Sequence, residues 1–121
     1  MAKISEEVKK AVTDCKPGLI ATAGKTGKPN VSAKGSFRVL DDEHVAFALI
    51  KSPQTLANLR ENPQVAIICL DPKTRNGCRI SGKPELLDAG PLFDQFSKEY
   101  AERKLEVKCV VKVAVDDAYA F

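Results

Sequence analysis

The stretch Val45-Ala46-Phe47-Ala48-Leu49-Ile50-Lys51-Ser52-Pro53-Gln54-Thr55 decides how this chain folds. Its first six residues form a continuous apolar run of strand length, which is typical of a strand covered on both faces. Ser52 is a favourable N-cap residue and Pro53 suits the first helical position, so a helix begins at Pro53. Leu56 and Leu59 continue it at helical spacing. The stretch therefore predicts a buried strand that leads directly into a short helix.

The start of this helix carries groups that suit a phosphate. A helix N-terminus offers unpaired backbone amides and partial positive charge. Lys51 adds a full charge, and hydroxyl and amide side chains follow it at Ser52, Gln54, Thr55 and Asn58. The alternative is that Ser52-Pro53 is only a well-capped helix start, and spacing alone does not decide between the two.

Length and composition predict one globular domain over residues 1–121, with an apolar fraction of 44% and a charged fraction of 29%. No apolar run approaches the roughly 20 residues of a membrane span, so no membrane association is expected. The charged N-terminus lacks the apolar core of a signal peptide, and we expect a cytoplasmic protein. The net charge of +3 is spread over interspersed signs without any tryptophan, so nucleic acid is not an expected partner.

The four cysteines and the single histidine do not indicate a metal site. Cys15, Cys69, Cys78 and Cys109 are far apart and form no Cys-x-x-Cys motif. Cys69 and Cys109 lie in strand-like runs, where a thiol acts as a small apolar group. Cys15 and Cys78 border turns, where solvent access is expected. His44 lies at an acidic turn, which favours a surface residue over a general base.

The rest of the chain predicts a mainly β fold. Short connections imply antiparallel pairing, and an antiparallel sheet of this size usually closes on itself. We therefore expect a six-stranded barrel with helices over its ends or gaps. The expected strands are 19–23, 30–36, 45–50, 64–70, 78–87 and 105–115, and the expected helices are 4–15, the one that starts at Pro53, and 88–104.

Two glycines interrupt strand-like runs. Gly35 follows small and polar residues that fill a core poorly. In a strand such a glycine marks either a bulge or a close approach by a ligand or another backbone, and the sequence leaves both open. Gly82, two residues before Pro84, predicts a bend of the kind found where sheets curl.

The ordered set of motifs resembles the FMN-binding split-barrel family, which includes pyridoxamine 5′-phosphate oxidase and small bacterial FMN-binding proteins. The set comprises Gly27-Lys28-Pro29, Asn30-Val31-Ser32, Val39-Leu40-Asp41, the apolar strand, the Ser52-Pro53 helix and Asn62-Pro63-Gln64-Val65. The resemblance covers most of the chain and is strongest over residues 19–70. It implies a six-stranded antiparallel split β-barrel with flanking helices, and a homodimer that binds FMN non-covalently at its interface.

The resemblance also implies which residues hold FMN. The phosphate side is expected at Ser32, Lys51, Ser52, Gln54, Thr55 and Asn58, and the ring along Ala48, Leu49 and Ile50 and the facing strand of Val31, Ser32, Ala33 and Lys34. The family often has a lysine where Gln54 stands, so Lys51, Lys34 or Arg79 must supply the missing charge. Lys34 is also a candidate for a cation near the pyrimidine end of the ring, against the alternative of a solvated strand residue.

The resemblance implies an FMN-binding flavoprotein, acting as a flavin-dependent oxidoreductase or as an electron carrier with a redox partner protein. Alternatives are an enzyme that uses a deazaflavin or a pyridoxal-type substrate, and a non-catalytic dimeric module that binds or stores flavin. Haem would require an axial histidine, for which only His44 is available. Pyridoxamine phosphate oxidation itself is not expected, because no arginine-rich substrate segment follows Arg103. Tyr119 or Phe121 is a candidate to cover the partner's flavin.

Overall fold

A computed structural model describes residues 2–121 and shows one antiparallel sheet of seven strands, in the order β2-β1-β5-β6-β7-β4-β3. Three helices interrupt the strands. In chain order the elements are α1 (Glu6–Asp14), β1 (Gly18–Ala23), β2 (Pro29–Lys34), β3 (Arg38–Val39), β4 (His44–Leu49), α2 (Pro53–Glu61), β5 (Val65–Leu70), β6 (Gly77–Leu87), α3 (Pro91–Ala101) and β7 (Cys109–Ala120).

The sheet curls because of the connection between β2 and β3. These strands are the two opposite edges of the sheet, yet only residues 35–37 join them. Three residues span at most roughly 10 Å, so the edges must come close together. A mainly β split barrel is thereby confirmed, but the number of strands is seven and not six. The strand predicted over 30–36 ends at Lys34, and the additional strand β3, which was not predicted, lies at the opposite edge.

The junction itself is anchored in the interior. Phe37 is fully buried, and the Ser36 hydroxyl accepts a 2.9 Å hydrogen bond from the buried Ala48 backbone N–H. A side chain on Gly18 would collide with the Phe37 ring at 2.6 Å, so β1 leaves room for it. Gly35 lies in the turn that precedes this anchor, so the bulge considered from sequence is wrong.

The prediction that β4 is covered on both faces is confirmed. Val45, Phe47 and Leu49 point into the main core, whereas Ala46 and Ala48 pack in a second cluster. The second cluster includes Phe96, Tyr100, Val107 and Val110, so α3 covers the face of β4 and β7 that points away from the main core. Both sets of β4 side chains are buried, which explains why the run is apolar without alternation.

Helix α1 closes the other side of the core. The Ser5 hydroxyl caps it by accepting a 3.2 Å hydrogen bond from the Val8 N–H. Its apolar stripe joins the main core through Ile4, Val8, Val12 and Cys15. In the part of the chain that the structure describes, no helix has the length and apolar character needed to cross a bilayer.

Two sequence expectations about strand ends and bends have different outcomes. The bend near Gly82 is confirmed, because the register of β6 against β7 shifts between Ser81 and Gly82. The last strand begins and ends later than predicted. It extends through the charged pair Asp116-Asp117: Asp117 lies opposite Ser81, and Asp116 is the extra residue at the point where the register shifts.

The expected solvent access of Cys15 and Cys78 is wrong. Their relative exposures are only 7% and 1%, since α1 packs on the sheet over the end of β6. Cys69 and Cys109 are buried, as expected from their strand-like surroundings. All four thiols are free.

We expect Gly82→Ala to destabilise the fold by about 1–3 kcal/mol. A Cβ atom at Gly82 would lie 2.3 Å from the Ala114 backbone oxygen, and backbone cannot move aside cheaply. Gly35→Ala is the matched control, because a Cβ there meets nothing within 4 Å and the change reduces unfolded-state entropy. Urea denaturation of both variants checks this, and equal midpoints would contradict it.

Candidate phosphate-binding site

The alternation of β2 sorts its residues onto two faces. Asn30, Ser32 and Lys34 are half-buried, whereas Val31 and Ala33 are exposed on the opposite face. The half-buried residues lie beside the start of α2, which is where the phosphate was expected from sequence. Of the four β2 residues predicted to contact a ligand, the structure therefore brings Ser32 and Lys34 to α2 and leaves Val31 and Ala33 on the outside.

Thr55 is the centre of the contacts between β2 and α2. Its side chain is 1% exposed, and its Oγ1 lies 3.2 Å from Ser32 Oγ. The Asn30 side-chain amide donates a 3.3 Å hydrogen bond to the same oxygen. A hydroxyl can both donate and accept, so Thr55 links the strand to the first turn of the helix.

Lys34 reaches the same helix start. Its Nζ donates a hydrogen bond to Ser52 Oγ, so Ser52 is used by the lysine and makes no side-chain cap bond to α2. Ser52 is the N-cap residue as predicted, and its backbone oxygen accepts a 3.2 Å bond from the Leu56 N–H, but the predicted side-chain cap bond is wrong. Partial burial lowers the pKa of Lys34, because desolvation disfavours its charged form.

A second set of hydrogen bonds attaches this helix turn to β1. Asn58 is 3% exposed and its amide donates a 3.1 Å hydrogen bond to the buried Thr22 Oγ1 on β1. The Gln54 amide donates a 2.8 Å bond to Asn58 Oδ1. Asn58 therefore positions α2 on β1, and its polar atoms are occupied within the protein.

Sequence reasoning missed two members of this network, Asn30 and Thr22. Asn30 was quoted only as part of a strand motif. A signal did exist for both, since each is a polar residue at a strand position that alternation assigns to the covered side. A covered polar side chain needs a partner, and here the partners are Thr55 and Asn58.

The end of β4 leads from the core to the same region. Ala48 and Leu49 are buried in the two apolar clusters, so only their backbones can face a ligand. Ile50 is half-buried and Lys51 is exposed. A cavity of about 320 Å³ lies at this strand-to-helix junction, lined by Leu49, Ile50, Lys51, Ser52, Pro53, Leu56 and Lys108.

The outer face of the sheet beside β2 is apolar and uncovered. Leu19 is 41% exposed and Val31 is 64% exposed, although both lie within strands. The register places Leu19 opposite Ile68 and Ala21 opposite Val31, so these side chains share one face of the sheet. Arg79 borders them and donates a 3.4 Å hydrogen bond to Tyr119 Oη. We call this the outer face; a shallow cavity of about 310 Å³ on it is lined by Leu19, Ala21, Val31, Ala66, Ile67, Ile68 and Arg79.

His44 lies away from these groups. It begins β4, whereas the candidate site lies beyond the other end of that strand. Five residues of strand separate His44 from Leu49, or roughly 17 Å at the usual rise per residue. Its Nδ1 lies 2.8 Å from Asp41 Oδ1. Across residues 2–121, no group of three or more His, Cys, Asp or Glu side chains is arranged to hold a metal ion.

Comparison with known proteins identifies the family of this chain. The sequence profile of the family described as pyridoxamine 5′-phosphate oxidase matches residues 4–120. The chain belongs to the pyridoxamine 5′-phosphate oxidase family. Within curated sequences it is similar to the uncharacterized protein MJ0282 of Methanocaldococcus jannaschii, with 41% identity over 69 residues. That alignment covers 55% of this chain and 46% of the relative, so the chain matches less than half of the relative's length.

Solved structures show that this oxidase-family chain has a widespread fold. HupZ of Group A Streptococcus superposes with a TM-score of 0.88 at 24% identity, covering 98% of this chain and 94% of that one. An FMN-binding protein from Syntrophomonas wolfei gives a TM-score of 0.85 at 16% identity, covering 95% and 84%. The same fold occurs in an F420 reductase and in HutZ, a heme storage protein of Vibrio cholerae, so the fold alone does not choose the cofactor.

We expect Asn58→Ala to lower the free energy of unfolding by about 1–3 kcal/mol, because it leaves the buried Thr22 hydroxyl without its partner and removes the bond that Gln54 donates. Arg60→Ala on the exposed side of the same helix is the control, with an expected change within about 0.5 kcal/mol. Thermal and urea unfolding measure both. An Asn58→Ala variant as stable as the control would show that this hydrogen-bonded layer does not hold α2 in place.

Proposed function

We propose that the protein binds FMN, with the phosphate at the group of residues where β2 meets the start of α2. The observation that carries the proposal is the convergence of three elements. The strand supplies Ser32, which contacts Thr55 on the helix, and Lys34, which contacts Ser52 at the strand-to-helix junction. Family membership supports a flavin phosphate as the anion that this group receives.

The charge of Lys34 supports an anionic ligand. Its Nζ contacts a neutral hydroxyl, and in the described part of the chain no carboxylate pairs with it. Burial lowers its pKa, so the protein keeps this cation half-buried at a cost in free energy. A phosphate within reach would reverse that effect by favouring the charged form. Ser52, Ser32 and the backbone amides of the first turn of α2 would then share the remaining phosphate oxygens.

Lys34 and Lys51 together supply the positive charge that the neutral Gln54 does not provide. Gln54 is exposed, and its amide is directed to Asn58, so it contributes no charge to the phosphate. Lys51 is exposed at the junction, where it can move to the ligand. We therefore assign Lys34 to the phosphate end and not to the pyrimidine end of the ring. The reduced charge of this site predicts dependence on the lysine at position 34.

Two copies of the chain are proposed to enclose the ring between them. The outer face exposes Leu19, Val31 and Tyr119, which are large apolar side chains that a partner would remove from water. It also places Val31 and Ala33, the β2 residues that turn away from Thr55, next to that partner. The same strand then binds the phosphate on one face and the second subunit on the other. Tyr119 and Phe121, which lie at the end of β7 and are about half exposed, are the candidates to cover the partner's flavin.

Bound FMN would supply hydride or single-electron transfer through its ring, as an electron carrier or a flavin-dependent oxidoreductase in the cytoplasm. The chain's own residues bind the cofactor and orient its ring. At the end of β4 the Ala48 N–H is bonded to Ser36 and the Leu49 carbonyl to the Lys108 N–H, and Ile50 continues toward the cavity beside Lys51. This arrangement places apolar surface next to the phosphate group, as a flavin requires.

The alternatives differ in what they need from the structure. A haem ligated by His44 would lie at the opposite end of β4 from the phosphate group, so the residues described above would play no part in holding it. A deazaflavin would use the same fold but a different tail from FMN. A module that only stores flavin would bind FMN without supporting turnover by any added electron donor.

We expect Lys34→Met to weaken FMN binding about 10- to 100-fold, the usual value of a charge-assisted hydrogen bond. Riboflavin, which lacks the phosphate, should bind the variant as well as it binds the native protein. Quenching of flavin fluorescence measures both affinities. Lys28→Met in the exposed β1–β2 turn is the matched control and should leave both unchanged.

Three results would contradict this assignment. Equal FMN affinity in Lys34→Met and Lys28→Met would remove Lys34 from the site. A parallel loss of riboflavin affinity would show that the variant disturbs the ring and not the phosphate. If the native protein does not bind FMN but binds coenzyme F420 or haem, its cofactor is that molecule and not FMN.

We expect Val31→Glu to convert a dimer to a monomer, because it introduces a charge into the proposed apolar interface. Gln95→Glu adds the same charge at an exposed position on α3 and should leave the dimer intact. Sedimentation velocity of the three proteins at equal concentration measures the change. Dimers in both variants, or a native monomer in the presence of FMN, would rule out this interface.

A further inference from the structure

Cys69 and Cys78 face each other across the hairpin formed by β5 and β6. The two residues are direct register partners, and both side chains lie in the main core at 0% and 1% exposure. The proximity of the two thiols lowers the pKa of Cys78, and the same proximity together with burial raises the pKa of Cys69. The pair takes no part in the proposed FMN site. It is the single place in residues 2–121 where two cysteines stand opposite each other in the sheet.

The spacing of directly opposed strand residues suits a disulfide. Opposed residues on one face have Cβ atoms about 4.5–5.5 Å apart, and a disulfide needs about 3.5–4.5 Å. Movement of about 1 Å at the hairpin closes that gap. Both side chains already lie on the core face of the hairpin, so neither has to leave the core for the bond to form.

We propose that Cys69 and Cys78 are a reversible dithiol site that is oxidised to a cross-strand disulfide by small-molecule disulfides such as oxidised glutathione. The Cys78 thiolate attacks one sulfur of the small disulfide and expels one thiol, which forms a mixed disulfide. The Cys69 thiol then loses its proton and attacks the Cys78 sulfur, which expels the second thiol. The protein thus loses two electrons and two protons, and one small disulfide becomes two thiols.

The hairpin end provides the route for the oxidant. The segment 71–76 that joins the two strands is mostly exposed, and it begins two residues after Cys69 and ends two residues before Cys78. A groove of about 490 Å³ lies against this end, between α1 and the chain terminus, and Cys15, Asn76 and Gly77 are among its lining residues. Strand ends next to exposed turns open far more often than whole domains unfold. Local opening of this end brings both thiols to solvent together.

The other two cysteines provide internal comparisons. Cys109 is 5% exposed and lies opposite Leu49, so it has no thiol across the sheet. Cys15 is 7% exposed at the end of α1, and its thiol donates to the Asn76 backbone oxygen at 3.8 Å. Exposure alone would therefore favour oxidation of Cys15, whereas the proposed geometry favours the pair.

The test is oxidation of the folded full-length chain by oxidised glutathione, followed by alkylation of free thiols and peptide mapping. We expect the peptides of Cys69 and Cys78 to be recovered joined, and to separate again after dithiothreitol. Cys109→Ala should give the same joined peptides. In Cys69→Ala, whose fold is checked by circular dichroism, Cys78 should instead retain one glutathione.

Hydrogen exchange of the same samples separates the proposal from simple core packing. The proposal expects oxidation in native buffer without global unfolding, and slower exchange at the ends of β5 and β6 once the bond has formed. Joined Cys15 and Cys78 peptides would overturn the pairing. The proposed dithiol site would be contradicted if oxidation appeared only at denaturant concentrations that unfold the whole chain. It would also be contradicted if Cys109 were oxidised equally fast.

Discussion

The structure depends on the constraint that three residues join the opposite edges of one sheet. Because 35–37 cannot span a flat seven-stranded sheet, the strands must curl until β2 and β3 approach each other. Phe37 fills the interior at this point, and Ser36 holds the junction to the backbone of Ala48. The curl then fixes where β4 ends, and so where α2 begins relative to β2.

This closure explains why the candidate site lies where it does. The first turn of α2 meets one face of β2, so Ser32 and Thr55 contact each other although they are 23 positions apart in sequence. The other face of β2 continues the apolar outer face through Leu19 and Ala21. One edge strand can therefore serve a ligand and a second subunit at once. The hydrogen bond from Asn58 to Thr22 attaches α2 to β1 independently of any ligand.

The features that depend on local sequence pattern were predicted correctly. The buried strand, the Pro53 helix, the hairpin of β1 and β2 and the bend at Gly82 follow from short-range signals and are confirmed. The short strand β3 was missed, because only the whole sheet shows that the chain after β2 crosses to the opposite edge. The burial of Cys15 and Cys78 was missed for a similar reason, since each lies beside a turn in sequence but under another element in space. At the site, alternation could have separated Val31 and Ala33 from Ser32 and Lys34, whereas the bond from Lys34 to Ser52 could not be foreseen without the curl.

The central claim is that the group around Thr55 and Lys34 receives the phosphate of FMN. Amide chemical-shift mapping of ¹⁵N-labelled protein tests it most directly, with riboflavin titrated in parallel. The account predicts that FMN, and not riboflavin, produces the largest changes at the amides of Ser32, Lys34 and residues 52–55. Large FMN-specific changes in the groove beside α1, with none at residues 52–55, would contradict it.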